Sequence, residues 1–273
     1  MYVTEQQLKE QLQQENTVIS EELLEQMLYH IGSLDPILRD ELIFSRLAEW
    51  IMSETFTAAS AKRIVSFVLS SDGLFYQLKT SDETAVFIRS FSALLLAVVL
   101  EKDAVTPQLG ETIYEQLSDQ LLMYLNNETD FRGQVPSYGW AHSIAHIADV
   151  YQVWLAHPRC RVAEQQPAII RLIEILTTPE YHFIDEEHER VISAWMVARE
   201  RDISDETFFA GLESAVKPWL DVPVTWSEER FNLLRNTKQL LQAFYFRVKW
   251  QDKMSALPEQ IEHLLFQIHQ QYQ

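Results

Sequence analysis

Apolar residues recur along this chain every three or four positions. Leu23, Leu24, Met27, Leu28 and Ile31 form one series, Leu42, Ile43, Leu47, Trp50 and Ile51 a second, and Ile64, Val65, Val68 and Leu69 a third. That spacing lines one side of a helix for burial against a core. From Ala85 to Val99 the chain is apolar on nearly every side, which predicts a helix enclosed on all faces. The run from Phe91 to Leu100 lies between Arg89 and Glu101-Lys102. It is about half of the ~20 residues a membrane span requires, so it reads as a buried helix.

Helix starts are marked by polar residues. Thr4 and Gln7 have the spacing of a capping box, in which each side chain satisfies the other's backbone N–H. Asp35-Pro36 and Thr106-Pro107 set a capping oxygen before a proline at the first helical position. Ser81 with Asp82 and Glu83, Asp205 with Glu206, and Ser227 with Glu228 and Glu229 put carboxylates where they offset the helix dipole. Leu257-Pro258-Glu259 opens a last helix, and Gly32 and Gly73 fall at helix stops. The expectation is an all-α protein of about twelve helices in antiparallel pairs. A pair about every 40 residues suits a HEAT- or armadillo-like α-α superhelix, with an irregular helical bundle or a helical barrel as the alternative. No linker divides the chain, so residues 1–273 are expected to form a single domain. The stretch His157 to Gln166 is the best candidate boundary.

Composition sharpens this picture. Six glycines and nine prolines in 273 residues are too few for the turns of a sheet protein. A single cysteine, Cys160, excludes an internal disulfide and fits a reducing compartment. The polar N-terminus lacks the pattern of a secretory signal, and the expected location is cytoplasmic. Forty acidic against twenty-two basic residues give a net charge of −18. With no cluster of Lys and Arg to overcome that charge, neither nucleic acid nor an anionic membrane is an expected partner. The acidity solubilises the surface or faces a basic partner.

Candidate chemistry is concentrated between Asn127 and Asp149. A loop with Gly133, Pro136 and Gly139 leads to a helix expected from about Trp140 to Ala156. On that helix His142, His146 and Asp149, spaced i, i+4 and i+7, share one face. Two imidazoles and a carboxylate so placed can hold a divalent metal or work as an acid–base pair. Asp130 and Glu128 can fold back over the helix start, and Arg132 can clamp an anion or pair with one of these acids. The same residues also serve as a structural network, with imidazoles bonded to carbonyls and Asp130 paired to Arg132. Zinc-protease helices carry a Glu beside the first His, where this chain has Ser143.

Arg89-Ser90-Phe91-Ser92, then Glu128-x-Asp130-x-Arg132-Gly133-x-Val135, then Gly139-Trp140-Ala141-His142-Ser143-x-Ala145-His146-x-x-Asp149 resembles a bacterial family of helical proteins known only as a domain of unknown function. The resemblance extends to Asp185-Glu186-Glu187-x-Glu189-Arg190. It implies a shared helical fold and carries no reaction, ligand or partner.

Arg89 interrupts an apolar helix and needs a carboxylate, with Asp130, Asp149 or Glu186 as candidates. The candidate pocket therefore comprises His142, His146, Asp149, Asp130, Arg132, Arg89 and Trp140, with His142, His146 and Asp149 as the metal candidates. His188, among acids, is expected on a solvated helix start. Trp195, Trp219, Trp226 and Trp250 are expected at core or cap positions. Two functions are consistent with these residues: a helical-repeat binding or scaffold protein for a protein or peptide partner, or an enzyme or small-ligand receptor, such as a metal-dependent hydrolase, built on that pocket.

Overall fold

Helix α5 (Ala85–Val105) organises the first half of the chain. Val86, Phe87, Leu95, Leu96 and Leu100 are fully buried in it, as its apolar circumference predicts. Before it come α1 (Glu5–Leu12), α2 (Glu21–Tyr29), α3 (Ser45–Met52) and α4 (Ala58–Val68); after it come α6 (Glu111–Leu125) and α7 (Ser143–Ala156). Helix α7 is apolar almost all round and makes the most extensive packing with α5, while α3 and α4 also lie on α5. The turn after α2 approaches α5 so closely that a Cβ on Gly32 would lie 2.1 Å from Ile88 Cγ1. Only glycine fits there.

This computed structural model describes residues 2–14, 18–220, 225–251 and 256–272. The described residues contain twelve α-helices and almost no strand, an all-α fold. The chain clusters into two compact units, Met1–Arg161 and Val162–Gln273, and the division falls inside the His157 to Gln166 stretch. The second unit contains α8 (Gln166–Leu176), α9 (Glu187–Glu200), α10 (Asp205–Leu220), α11 (Glu228–Gln251) and α12 (Leu257–Gln270). There α8 packs mainly on α10, and α11 packs on α12 and α9.

Most start signals act as the sequence predicts. Thr4 and Gln7 form the capping box of α1. Asp82 Oδ1 accepts the Thr84 N–H at 2.8 Å, just ahead of α5, and Ser227 Oγ accepts the Arg230 N–H at 3.3 Å, in the first turn of α11. Two signals differ. Asp35 Oδ1 accepts the Ile37 N–H at 3.0 Å, but the element it opens is a wide π-helical segment, Ile37–Phe44, that tightens into α3 only at Ser45. Thr106-Pro107 opens no helix: Thr106 ends α5, and α6 begins after Gly110. The amides of Gln108 and Leu109 are taken instead by Asp103 Oδ1, at 2.5 and 2.8 Å, so this loop is folded back on α5.

Candidate functional site

The loop between α6 and α7 carries most of the candidate residues and is anchored by an acid the sequence placed only at its edge. Glu128, 2% exposed, accepts both arms of the Arg89 guanidinium, Nε at 2.7 Å and Nη2 at 2.8 Å. Tyr124 donates its hydroxyl to the same carboxylate at 2.9 Å, and the amides of Thr129 and Asp130 donate at 2.9 Å each. Arg89 thus pairs with Glu128, which was not among the carboxylates expected for it. Burial alone would strip the guanidinium of its proton more easily, but the bidentate carboxylate outweighs it and holds the charge. Burial, with Glu128 adding to it, pushes the Tyr124 hydroxyl far above its usual range, so it remains a donor.

Asp130 and Arg132 pair with each other. Arg132 Nε and Nη2 reach the two Asp130 oxygens at 2.8 and 2.5 Å, and Nη2 also donates to the Glu83 carbonyl ahead of α5. Ser143 Oγ donates to the Asp130 carbonyl at 2.5 Å. The loop then forms a short antiparallel hairpin, β1 (Gln134–Val135) with β2 (Gly139–Trp140). Trp140, expected at the helix start, is therefore in a strand, 40% exposed.

The His/His/Asp stripe is also revised. Helix α7 starts at Ser143, and His142 caps it in the left-handed region at φ 48°. His142 consequently stacks on Trp140, with ring centres 4.4 Å apart, instead of standing one turn below His146 on a helix face. The two imidazoles still meet edge to face at 5.9 Å. His146 is buried, and its Nδ1 lies 3.2 Å from the Ser90 carbonyl. A carbonyl only accepts, so Nδ1 is the donor in this contact. Asp149 is half-buried on α7 and is engaged as well.

One central residue escaped the sequence reading. Arg39, fully buried in the π-helical segment, lies between two rings of α5, 4.6 Å from the Phe87 centre and 4.7 Å from that of Phe91. It donates to the Ser33 and Tyr138 carbonyls at 2.8 Å each, and its Nε lies 2.7 Å from Asp40 Oδ1. Gly139, at φ +77°, passes so close that a Cβ would lie 3.1 Å from Arg39 Nη2. Phe91 in turn meets His146 edge-on at 5.4 Å. Arg39, Phe91, His146, His142 and Trp140 thus form a continuous run of cation and ring contacts from the core to the surface. Pro36 and Asp35 had signalled only a helix start; a π-turn leaves no mark in hydrophobic spacing.

A family model described as a protein of unknown function, DUF2785, matches residues 74–246, well over half of the chain. The chain belongs to the DUF2785 family. The match takes in α5 to α7, the Arg89–Glu128 pair, the hairpin and both histidines of the DUF2785 chain, whereas Arg39 precedes it and α12 comes after it. No curated protein and no solved structure matches.

Beyond the motif, the DUF2785 chain has a second buried polar node. Asp103 on α5 accepts four bonds: the two amides already named, the Tyr114 hydroxyl at 2.6 Å and His157 Nε2 at 3.1 Å. Burial would raise its pKa, but His157, Tyr114 and the two amides together pull it down to about 2. His157 Nδ1 accepts the Arg159 amide at 3.1 Å, so the node joins α5 and α6 to the end of α7. In the second unit His188 is buried and not solvated, edge-on to Phe183 at 6.0 Å. Burial first, then His182, lowers its pKa to about 4. Asn236 of α11 holds the preceding loop through Thr178, Tyr181 and Phe183. Trp195 is in the core as expected, but Trp226 and Trp250 are exposed, the latter stacked on Phe246. No helix among the described residues is long and apolar enough to cross a membrane.

Proposed function

We propose that this chain is a binding protein whose second unit receives the apolar face of a helix from a basic partner. The observation that carries the reading is an open groove of about 800 Å³ between α10 and α12, floored by α11. Leu212 and Val216 line one wall, Leu264 and Ile268 the other, and Leu241 the floor. Two helix walls and an apolar floor suit a third helix with side chains at i, i+3, i+4 and i+7. At the rim Lys217 is neutralised by Glu213 at 3.4 Å, leaving Glu259 to add to a net charge of −18. Basic residues on the outer face of the incoming helix complement that surface. The internal pairing of Arg89 with Glu128 and of Asp130 with Arg132 supports the same reading, since both ion pairs hold the fold.

The test is a titration of the full chain with a fluorescent helical peptide that has leucines at those spacings and lysines on the other face. A peptide of equal composition with the periodicity scrambled controls for charge alone. Saturable binding of the first, lost in Leu264→Asp, is the expected result. Equal binding of both peptides, or indifference to Leu264→Asp, would overturn the reading.

A further inference from the structure

A second cavity, of about 490 Å³, opens in the first unit where the turn after α2 meets α4 and α5. Tyr2, Tyr29, Phe67 and Tyr76 all line it. Tyr2 and Tyr29 are stacked, with centres 3.8 Å apart and planes 8° apart, and form one flat wall. That wall is fixed from behind. The Val3 amide donates to Gln26 Oε1 at 2.9 Å, and His30 Nε2 donates to the Val3 carbonyl at 2.8 Å. The chain start is therefore tied to α2, and the tyrosine pair is preorganised.

The charges on this cavity are not balanced. Among the described residues that line it, the one strong cation, Arg63, is held by both oxygens of Glu25 at 2.5 Å each. The carboxylates of Glu5 and Asp72, which also line it, make no hydrogen bond or ion pair among the described residues. Tyrosine faces and carboxylates attract the same kind of ligand: a cation whose charge is spread over alkyl groups, which loses little on leaving water and gains from the ring quadrupoles. An anion meets net negative charge here, and a neutral apolar molecule makes no use of the acids.

We infer that this cavity is a binding site for a small alkylammonium cation, with Tyr29 and Tyr76 supplying ring faces and Glu5 and Asp72 the counter-charge. It is independent of the groove in the second unit. The experiment uses choline as the probe and 3,3-dimethylbutan-1-ol, its neutral carbon isostere, as the control, each titrated into the full chain by calorimetry or by NMR. Choline is expected to bind saturably, and the isostere about tenfold more weakly or worse, the ratio that one good cation–π contact confers. Glu5→Gln with Asp72→Asn, both at exposed positions, should lower choline affinity about tenfold while the variant stays folded by circular dichroism. Tyr29→Leu should lower it several-fold while leaving the charge unchanged. Equal affinity for choline and its isostere overturns the inference, as does unchanged choline affinity in the double carboxylate variant or no saturable binding at all.

Discussion

Asp103→Asn tests the reading of the buried node most directly. The wild-type carboxylate is 1% exposed, accepts four hydrogen bonds and has its pKa pulled down to about 2. An aspartate in the unfolded chain titrates near ~3.9, and at about 1.4 kcal/mol per pKa step the difference is worth roughly 2–3 kcal/mol of folding stability. Because the folded pKa is the lower one, that stability is fully present above about pH 5 and drains away as the pH falls towards 2. Asparagine keeps one acceptor oxygen and the shape, but has no proton to gain. The free energy of unfolding, from urea melts of the full chain, should therefore favour the wild type at pH 7. The gap should close by about 2 kcal/mol between pH 5 and pH 2. Each melt is monitored by the exchange of the Gln108 and Leu109 amides as well as by circular dichroism, so that opening of this node is seen apart from the rest of the chain. Parallel pH profiles for wild type and variant would refute the assignment of the low pKa to Asp103.

Other perturbations read other parts of the architecture. Glu128→Gln leaves the Arg89 charge buried against a neutral amide and should cost about 3–5 kcal/mol, measured by urea denaturation, whereas Arg89→Met combined with Glu128→Leu should recover much of that loss. Gly139→Ala forces a side chain into the left-handed region against Arg39 and should cost about 1–3 kcal/mol by the same assay. His188 is depressed to about 4 from an unfolded value near ~6.5, so its roughly 3 kcal/mol of stability is present above pH 6.5 and lost as the pH falls to about 4. In His188→Gln that part of the pH dependence should disappear, which chemical unfolding at a series of pH values will show.

How much of the molecule the sequence discloses depends on how each feature is encoded. Helices were legible because burial imposes a period, and α5 and α7, apolar around most of their circumference, identify themselves as enclosed without any knowledge of their neighbours. Their mutual packing was not legible, because it joins segments separated by α6 and a loop. The candidate loop was legible as a concentration of unusual residues, and Arg132 with Asp130 was readable because the partners are two positions apart. Arg89 advertised its need for an acid, but the choice of Glu128 depends on where α6 ends relative to α5, a tertiary matter. The position of His142 turned on one backbone angle. A helix beginning at Trp140 and one beginning at Ser143 have the same apolar pattern, and the left-handed cap is favoured by the short hairpin that Gly139 permits.

Arg39 shows the limit most clearly. A charged residue at a position that alternates correctly with polar neighbours reads as solvated, so nothing in its local pattern separates it from an exposed arginine. Its burial depends on two distant elements, the two phenylalanines of α5 and the carbonyl of Tyr138 in the hairpin turn, and on the widened π-turn in which it sits. A π-turn spaces residues more widely than an α-turn and is locally less stable, so it persists where tertiary contacts over-determine it. Replacing Arg39 by methionine separates the two contributions. If ring packing dominates, the variant should lose only about 1–2 kcal/mol, because the apolar stem still fills the space between Phe87 and Phe91. If the carbonyl bonds dominate, the hairpin should detach: the exchange of the Ala141 and His142 amides, which close on Gly133 and Arg132, should accelerate far more than that of α5. The geometry favours the second outcome. Arg39 reaches the Tyr138 and Ser33 carbonyls through separate nitrogens, and a methionine can replace neither bond.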